Sequence, residues 1–177
     1  MANNKGYLTA SKNDELYTPA YAINPLIEFI RQKGYQKIWS PFDTEDSQFV
    51  KVLRDNGFNV RATHKDVGAD FFSPNTQLLS LDFADIIISN PPYSIKDEIL
   101  TELYGFHKPF AMLLPLPTLQ GKGRWDLFST YGLELLIFDS RISFAGNQPP
   151  MATVYFCKDL LPEKLVFRKL EKEIQHG

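Results

Sequence analysis

Residues 85–93 have the sequence DIIISNPPY, which predicts a buried strand that stops at a rigid turn. Three consecutive isoleucines, all β-branched, suit a strand that is covered on both faces, as in a parallel sheet. The two prolines break the strand, because proline has no backbone N–H for the ladder. After the turn, apolar residues recur at helical spacing, at Ile95, Ile99, Leu100 and Leu103. The sequence here therefore predicts a strand, a turn and a helix in succession.

The same alternation extends to both sides of this stretch. Apolar spacing predicts a helix that ends at Gly34 and a second one, with Phe49, Val50 and Leu53, that ends at Asn56-Gly57. Strands are predicted at residues 37–42, 59–64, 110–114, 133–139 and 151–157. Residues 115–131 are predicted to form a long polar loop, and the tail at 162–174 fits either a strand or a helix.

This order predicts an α/β domain with a mainly parallel sheet, because right-handed crossovers through helices place successive strands in the same direction. The connection between the strands at 133–139 and 151–157 is too short for a helical crossover. We therefore expect these two strands to form an antiparallel C-terminal hairpin at one edge of the sheet.

Length and composition indicate one globular domain. The chain has 177 residues, of which 44% are hydrophobic and 23% charged, both ordinary values. Residues 1–12 are polar and are expected to form a flexible arm, with the domain at 13–177. The single cysteine, Cys157, excludes an internal disulfide and fits a reducing cytoplasm. No membrane partner and no metal are expected, because no apolar run reaches about 18 residues and the three histidines lack zinc-ligand spacing.

The fold also predicts where a binding site lies. In open α/β sheets, ligands bind outside the carboxyl ends of the strands. Pro41-Phe42-Asp43 follows one predicted strand, and Asn90-Pro91 follows another. These two turns are therefore the expected walls of the site.

The turn at Asn90, Pro91, Pro92 and Tyr93 has the chemistry to activate an amine. An exocyclic amine on adenine is a weak nucleophile, because its lone pair is delocalised into the ring. The side-chain oxygen of Asn90 and the main-chain carbonyl of Pro91 can each accept one N–H bond, which favours the amine as it becomes tetrahedral. The prolines hold both acceptors still, and Tyr93 would stack on the base. This motif resembles that of amino-methyltransferases that use S-adenosylmethionine (SAM), chiefly the N6-adenine enzymes.

Weaker similarities occur in a consistent order along residues 13–157. The segment 13–19 resembles the N-terminal motif of small bacteriophage-type DNA N6-adenine methyltransferases, and residues 66–72 resemble the motif of that family that contacts the SAM adenine. The resemblance implies a class-I SAM-methyltransferase-like, Rossmann-like domain. It also implies that SAM is the cofactor and is bound by Tyr17, Thr18, Pro19, Pro41, Phe42, Asp43, Asp66, Asp70 and Phe71.

In one feature the chain departs from this family. The first SAM loop of its members usually carries two glycines, whereas residues 41–47 contain none. The carboxylates of Asp43, Glu45 and Asp46 could attract the cationic cofactor instead, or they could be the solvated start of a helix. A Thr18 cap followed by Pro19 at the first helical position is an alternative reading of that segment.

The resemblance implies DNA as the partner, with the target adenine flipped out of the duplex. No separate target-recognition domain is visible, so the predicted loop supplies the expected contacts, through Lys122, Arg124 and Trp125. The net charge of −2 argues against strong non-specific nucleic-acid binding but allows a local basic patch. RNA adenine or a protein glutamine amide remain alternative substrates. A catalytically silent viral module that binds a host protein in the bacterial cytoplasm is a further alternative, and the oligomeric state stays open.

Overall fold

In the computed structural model, which describes residues 18–144 and 151–172, strands and helices alternate along the chain. The helices are α1 (Ala20–Lys33), α2 (Gln48–Asp55), α3 (Pro74–Phe83), α4 (Lys96–Gly105) and α5 (Lys122–Tyr131). The strands are β1 (Lys37–Ser40), β2 (Asn59–Ala62), β3 (Ile86–Ser89), β4 (Phe110–Pro115), β5 (Glu134–Phe138), β6 (Thr153–Lys158) and β7 (Leu165–Arg168). Short 3₁₀ turns lie at Lys65–Val67, Tyr93–Ile95 and Leu116–Leu119.

The described strands form one seven-stranded sheet in the order β2-β1-β3-β4-β6-β5-β7. Neighbouring strands from β2 to β4 are parallel, and β5 is parallel to β7. Strand β6 is antiparallel to β4 and to β5. The predicted α/β class with a mostly parallel sheet is therefore confirmed, and the topology is compatible with a Rossmann-like fold.

Helices cover both faces of the sheet, which explains why its central strands are apolar throughout. Every residue of β3 and of β4 is buried. On one face, α1 and α2 pack on the sheet through residues such as Leu26 and Leu53. On the other face, α4 packs through Ile99 and Leu103, and α5 through the half-buried Leu127 and Phe128. None of the helices in the described ranges is long and apolar enough to cross a bilayer.

The predicted C-terminal hairpin pairs as expected but does not lie at the edge. Strand β6 is inserted between β4 and β5, and the edge position belongs to β7, which the tail supplies. Strand β7 takes the edge position because its apolar Val166 is buried against the α1 face of the sheet. The ambiguous tail at 162–174 is thus a strand at Leu165–Arg168.

The prediction of a long loop at 115–131 is wrong, because most of this segment is the helix α5. Its glycines gave the misleading signal: Gly121 is the N-cap residue, and Gly123 lies in the first turn. Leu127 and Phe128 are half-buried against the second face of the sheet, and this packing stabilises the helix. The predicted flexible arm at 1–12 lies outside the described residues.

Candidate functional site

The carboxyl ends of β1 and β3 meet at the point where the strand order reverses. From β1 the chain builds β2 on one side and, later, β3 on the other. The loops that follow these two strands therefore diverge and leave a crevice between them. This is the place where Pro41-Phe42-Asp43 and Asn90-Pro91 were expected to meet, and the two segments do lie together there.

Asp43 joins the two loops. Its carboxylate accepts a hydrogen bond from the Ser89 hydroxyl at 2.5 Å, although 46 residues separate them. Only 8% of Asp43 is exposed. Burial raises the pKa of Asp43 to about 6, and the hydrogen bonds from Ser89 and Ser47, together with the attraction of His64, oppose this rise. A buried carboxylate at a sheet switch point is a typical functional group.

The other two carboxylates of the loop have structural surroundings instead. Glu45 is exposed and forms an ion pair with Arg54, which lowers the pKa of Glu45. Asp46 is exposed and lies 3.9 Å from the Lys51 ammonium. Of the three acidic side chains at 43–46, Asp43 is thus the one that lies inside the crevice.

Asn90 is held by the start of α1. Its side-chain Nδ2 donates to the Thr18 hydroxyl at 3.1 Å, across 72 residues of sequence. Thr18 is buried, and Pro19 is the N-cap of α1, which begins at Ala20, so the suggested helix start is shifted by one residue. The structure therefore brings Thr18 and Pro19 to the predicted catalytic turn. Tyr17 lies outside the described residues.

The remaining residues of the turn are packed inward. Pro91 is buried and Pro92 is half-buried. The Tyr93 ring lies against the apolar cluster of the α4 face, and burial raises the pKa of its hydroxyl. That hydroxyl is enclosed and has no hydrogen-bond partner within the described ranges. Tyr93 therefore shows only part of its ring to the crevice.

Phe71 is the centre of an aromatic cluster rather than an exposed stacking surface. Its ring centroid lies 4.9 Å from that of Phe42 and 5.5 Å from that of Trp39. Phe72 and Phe106 pack edge-on against it, and Phe71 is only 2% exposed. Phe42, Phe72 and Phe106 are half-buried, and of these Phe42 and Phe72 are the rings that follow β1 and β2 at the crevice edge of the sheet.

Asp66 and Asp70 follow β2 and are both exposed. Asp66 is in a 3₁₀ turn, with its carboxylate 3.6 Å from the His64 ring nitrogen Nδ1. One carboxylate oxygen of Asp70 accepts the Phe72 backbone N–H at 3.1 Å. Both side chains keep oxygen atoms free to accept further hydrogen bonds, since each carboxylate has about four acceptor positions.

Sequence reasoning missed three hydroxyl groups at the same edge of the sheet. Ser40 ends β1, Thr118 follows β4, and Thr153 begins the antiparallel β6 opposite Pro115. All three hydroxyls are buried and have no partner within the described part of the chain. Buried polar groups are usually satisfied, so these are acceptors and donors that a ligand could use. In the sequence, each of these residues is marked only as a lone polar residue at or near one end of an apolar strand.

The three residues expected to contact nucleic acid lie in the first turn of α5. Lys122 is exposed, and Trp125 is 65% exposed. Arg124 is instead engaged within the chain, because it pairs with Asp97 and donates to the carbonyls of Thr118 and Gln120. Arg124 therefore fastens the start of α5, and Lys122 and Trp125 remain available to a partner.

Comparison with known proteins assigns no family to this chain. A scan against protein-family models finds no match, and a search of the curated proteins finds no significant match. The geometry of the site is therefore the basis for assigning a function.

Proposed function

We propose that the chain transfers a methyl group from SAM to the exocyclic N6 amine of adenine, with DNA as the substrate. The observation that supports this best is the meeting of Asn90, Thr18 and Asp43 at the switch point of the sheet. Three polar side chains from distant parts of the sequence converge there on a turn whose chemistry suits an amine.

Asn90 and Pro91 would bind the amine of the target base. With Nδ2 donating to Thr18, the other atom of the Asn90 amide is the oxygen, which is an acceptor. An acceptor is required there, because the amine presents N–H groups. The adjacent Pro91 carbonyl supplies the second acceptor, and its position is fixed by the proline ring. Both interactions strengthen as the nitrogen becomes tetrahedral, so they lower the barrier and do more than bind the ground state.

The residues around β1 and β2 suit a cationic nucleoside cofactor. When bound, SAM supplies an electrophilic methyl group on a positively charged sulfur. The buried Asp43 carboxylate would offset positive charge in the crevice, and the unsatisfied Ser40 hydroxyl could bond to the same ligand. Asp66, which follows β2, would accept hydrogen bonds from ribose hydroxyls. Phe42 and Phe72 would pack against an adenine ring.

The balance of charge around the crevice affects which class of substrate can bind there. Among the described residues, the segments that follow the strands at this edge carry cations, such as Lys65, Lys96, Lys122 and Arg124, and a similar number of anions, such as Asp43, Asp66, Asp70 and Asp97. This balance is not a large basic patch. A second candidate substrate is therefore a planar amide on a protein, such as a glutamine side chain, which the same Asn90 and Pro91 acceptors would bind without a phosphate backbone.

Methyl transfer can be tested with SAM that carries a labelled methyl group. Wild-type protein is incubated with single-stranded DNA, duplex DNA, RNA and a glutamine-containing peptide, and the product is identified by mass spectrometry. The proposal predicts N6-methyladenine in DNA. Asn90→Ala should lower kcat by about 100-fold or more, which is the usual cost of losing one such transition-state contact.

Asn59→Ala is the matched control, because Asn59 is an exposed asparagine at the amino end of β2, whereas the crevice lies at the carboxyl ends of the strands. It should retain full activity, and Asn90→Ala should still bind SAM. Label on the peptide alone would favour the amide substrate. Activity that survives in Asn90→Ala, or label on none of the four substrates, would contradict the proposal and favour a binding module.

A further inference from the structure

Strand β7 leaves one side of the sheet open. Its residues pair with β5 in parallel register, Leu165 beside Leu135 and Phe167 beside Ile137. The backbone of the even-numbered residues faces β5, since Leu135 N–H donates to the Lys164 carbonyl at 2.8 Å. The backbone groups of Leu165 and Phe167 therefore face outward, and no described strand pairs with them.

The side chains on this edge differ sharply between the two faces of the sheet. Val166 is buried on the α1 side, whereas Leu165 is 53% exposed and Phe167 is 66% exposed on the α5 side. Two large exposed apolar side chains on an open edge strand form an apolar surface that favours association. Folded proteins rarely leave such a surface without a partner.

The charges that flank β7 favour a second copy of the same strand as that partner. In an antiparallel pair centred on Val166, Leu165 lies opposite Phe167 of the second copy. The same register brings Glu163, which lies in the bend just before β7, toward Lys169 of the second copy, which lies just after β7, at both ends of the apolar pair. Opposite charges directly across a strand pair are favourable, and like charges are unfavourable.

Other registers fit less well. A shift of the pairing by two residues in one direction would place Leu165 opposite Lys169 and Glu163 opposite Glu171. A shift in the other direction would place Glu163 opposite Phe167. A shift by one residue would put the buried face of one copy beside the exposed face of the other.

The opposite face of the sheet tolerates the same register. There, Lys164 would lie across from Arg168 of the second copy, which is a pair of like charges. Arg168 is already neutralised by Glu28 at 2.8 Å, and its guanidinium lies over the Phe29 ring. Its Nη1 also donates to the Phe167 carbonyl at 3.0 Å, and the second lone pair of that oxygen can accept from the facing strand.

We propose that β7 pairs antiparallel with β7 of a second copy of this chain about a two-fold axis at Val166, which joins two sheets into one. The contact is isologous and closes after two copies, because each β7 has one open side. It lies at the sheet edge beyond β5, so the crevices of both copies stay open.

Sedimentation equilibrium or light scattering over a range of concentrations tests this. Wild-type protein should reach twice the chain mass of 20.3 kDa. Phe167→Asp should weaken the dimer at least about tenfold, because it places a charge in the apolar pair. Leu78→Asp is the matched control, since Leu78 is an equally exposed apolar residue on α3. Circular dichroism should show both variants folded.

Charge exchange tests the register itself. Glu163→Lys alone and Lys169→Glu alone should each weaken the dimer by about 2- to 30-fold, because each creates two like-charge pairs by symmetry. The double variant carries both changes, restores opposite charges and should recover wild-type affinity. A monomer at every wild-type concentration, a dimer unaffected by Phe167→Asp, or a double variant no better than the single ones would overturn the proposal.

Discussion

The hydrogen bond between Thr18 and Asn90 fixes the orientation of the Asn90 amide. With Nδ2 turned to the Thr18 hydroxyl, the oxygen is directed elsewhere in the turn. Thr18 is thus a positioning residue: in the proposed reaction it acts on the amine through Asn90.

Replacement of Thr18 by valine tests this role, because valine has the same shape but no hydroxyl. We expect Thr18→Val to lower kcat about tenfold, the equivalent of about 1.4 kcal/mol for one hydrogen bond. Thr18→Ser keeps the hydroxyl and should restore kcat to within about twofold of wild type. Equal kcat values for the serine and valine variants, measured with saturating SAM and DNA, would show that the hydroxyl has no such role.

Burial of the ionised Asp43 carboxylate lowers the stability of the folded chain. Its pKa in the folded chain is about 6, above its ordinary value of 3.8. Protonation therefore favours the folded state, and stability falls as the pH rises from about 4 through 6, by about 3 kcal/mol in total. Asp43→Asn keeps an oxygen that can accept from Ser89 but has no charge.

We therefore expect Asp43→Asn to melt at a higher temperature than wild type at pH 8, with the difference vanishing near pH 4. Asp46→Asn is the control, because the Asp46 side chain is 97% exposed and should show no such difference. A lower melting temperature for Asp43→Asn than for wild type at pH 8 would contradict the assigned burial cost. Such a cost in stability is typical of residues at functional sites.

At the level of elements, sequence periodicity predicted the strands well but missed two of the five described helices, α3 and α5. Strand β3 and the turn after it were predictable, because consecutive isoleucines followed by two prolines allow few alternatives. Helix α3 was missed, because its exposed Leu78 and Leu79 break the apolar stripe. Helix α5 was missed because its stability comes from packing against the sheet, which local sequence does not encode.

Helix α5 presents the exposed Trp125 near the carboxyl edge of the sheet. If nucleic acid is the substrate, Trp125→Ala should weaken DNA binding by about 5- to 100-fold, the range of one lost stacking contact. Its melting temperature should stay close to that of wild type, as is usual for exposed positions. Leu78→Ala, a similarly exposed apolar residue on α3, is the control. Unchanged binding of single-stranded DNA by Trp125→Ala, measured by fluorescence anisotropy, would show that Trp125 of α5 does not contact the DNA.

At the level of the whole molecule, the sequence predicted the class of sheet but not the order of its last strands. Insertion of β6 next to β4 depends on contacts between residues about 40 positions apart, such as Leu113 and Tyr155. No local signal specifies such a partner. The meeting of the loops after β1 and β3 was more predictable than the sheet order, since switch-point geometry places the ends of these strands together whatever the later strands do.

The same topology explains why a residue can lie at the predicted place without the exposure that was expected of it. Phe71 follows a strand at the expected place, but the surrounding rings of Trp39, Phe42 and Phe106 enclose it. Ser40, Thr118 and Thr153 lie at the same edge only because β1 and β4 end there and β6 begins there. Such convergence is a property of the folded sheet, and a linear sequence does not show it.

Calorimetric titration with SAM and with its demethylated product tests the central claim, that the crevice between β1 and β3 is a SAM site. We predict binding of both at pH 8. The affinity for SAM should fall about tenfold at pH 5, because only about a tenth of Asp43 is then ionised at a pKa of about 6. No detectable heat with either ligand at pH 8 would contradict the account and leave the fold as a binding module for another partner.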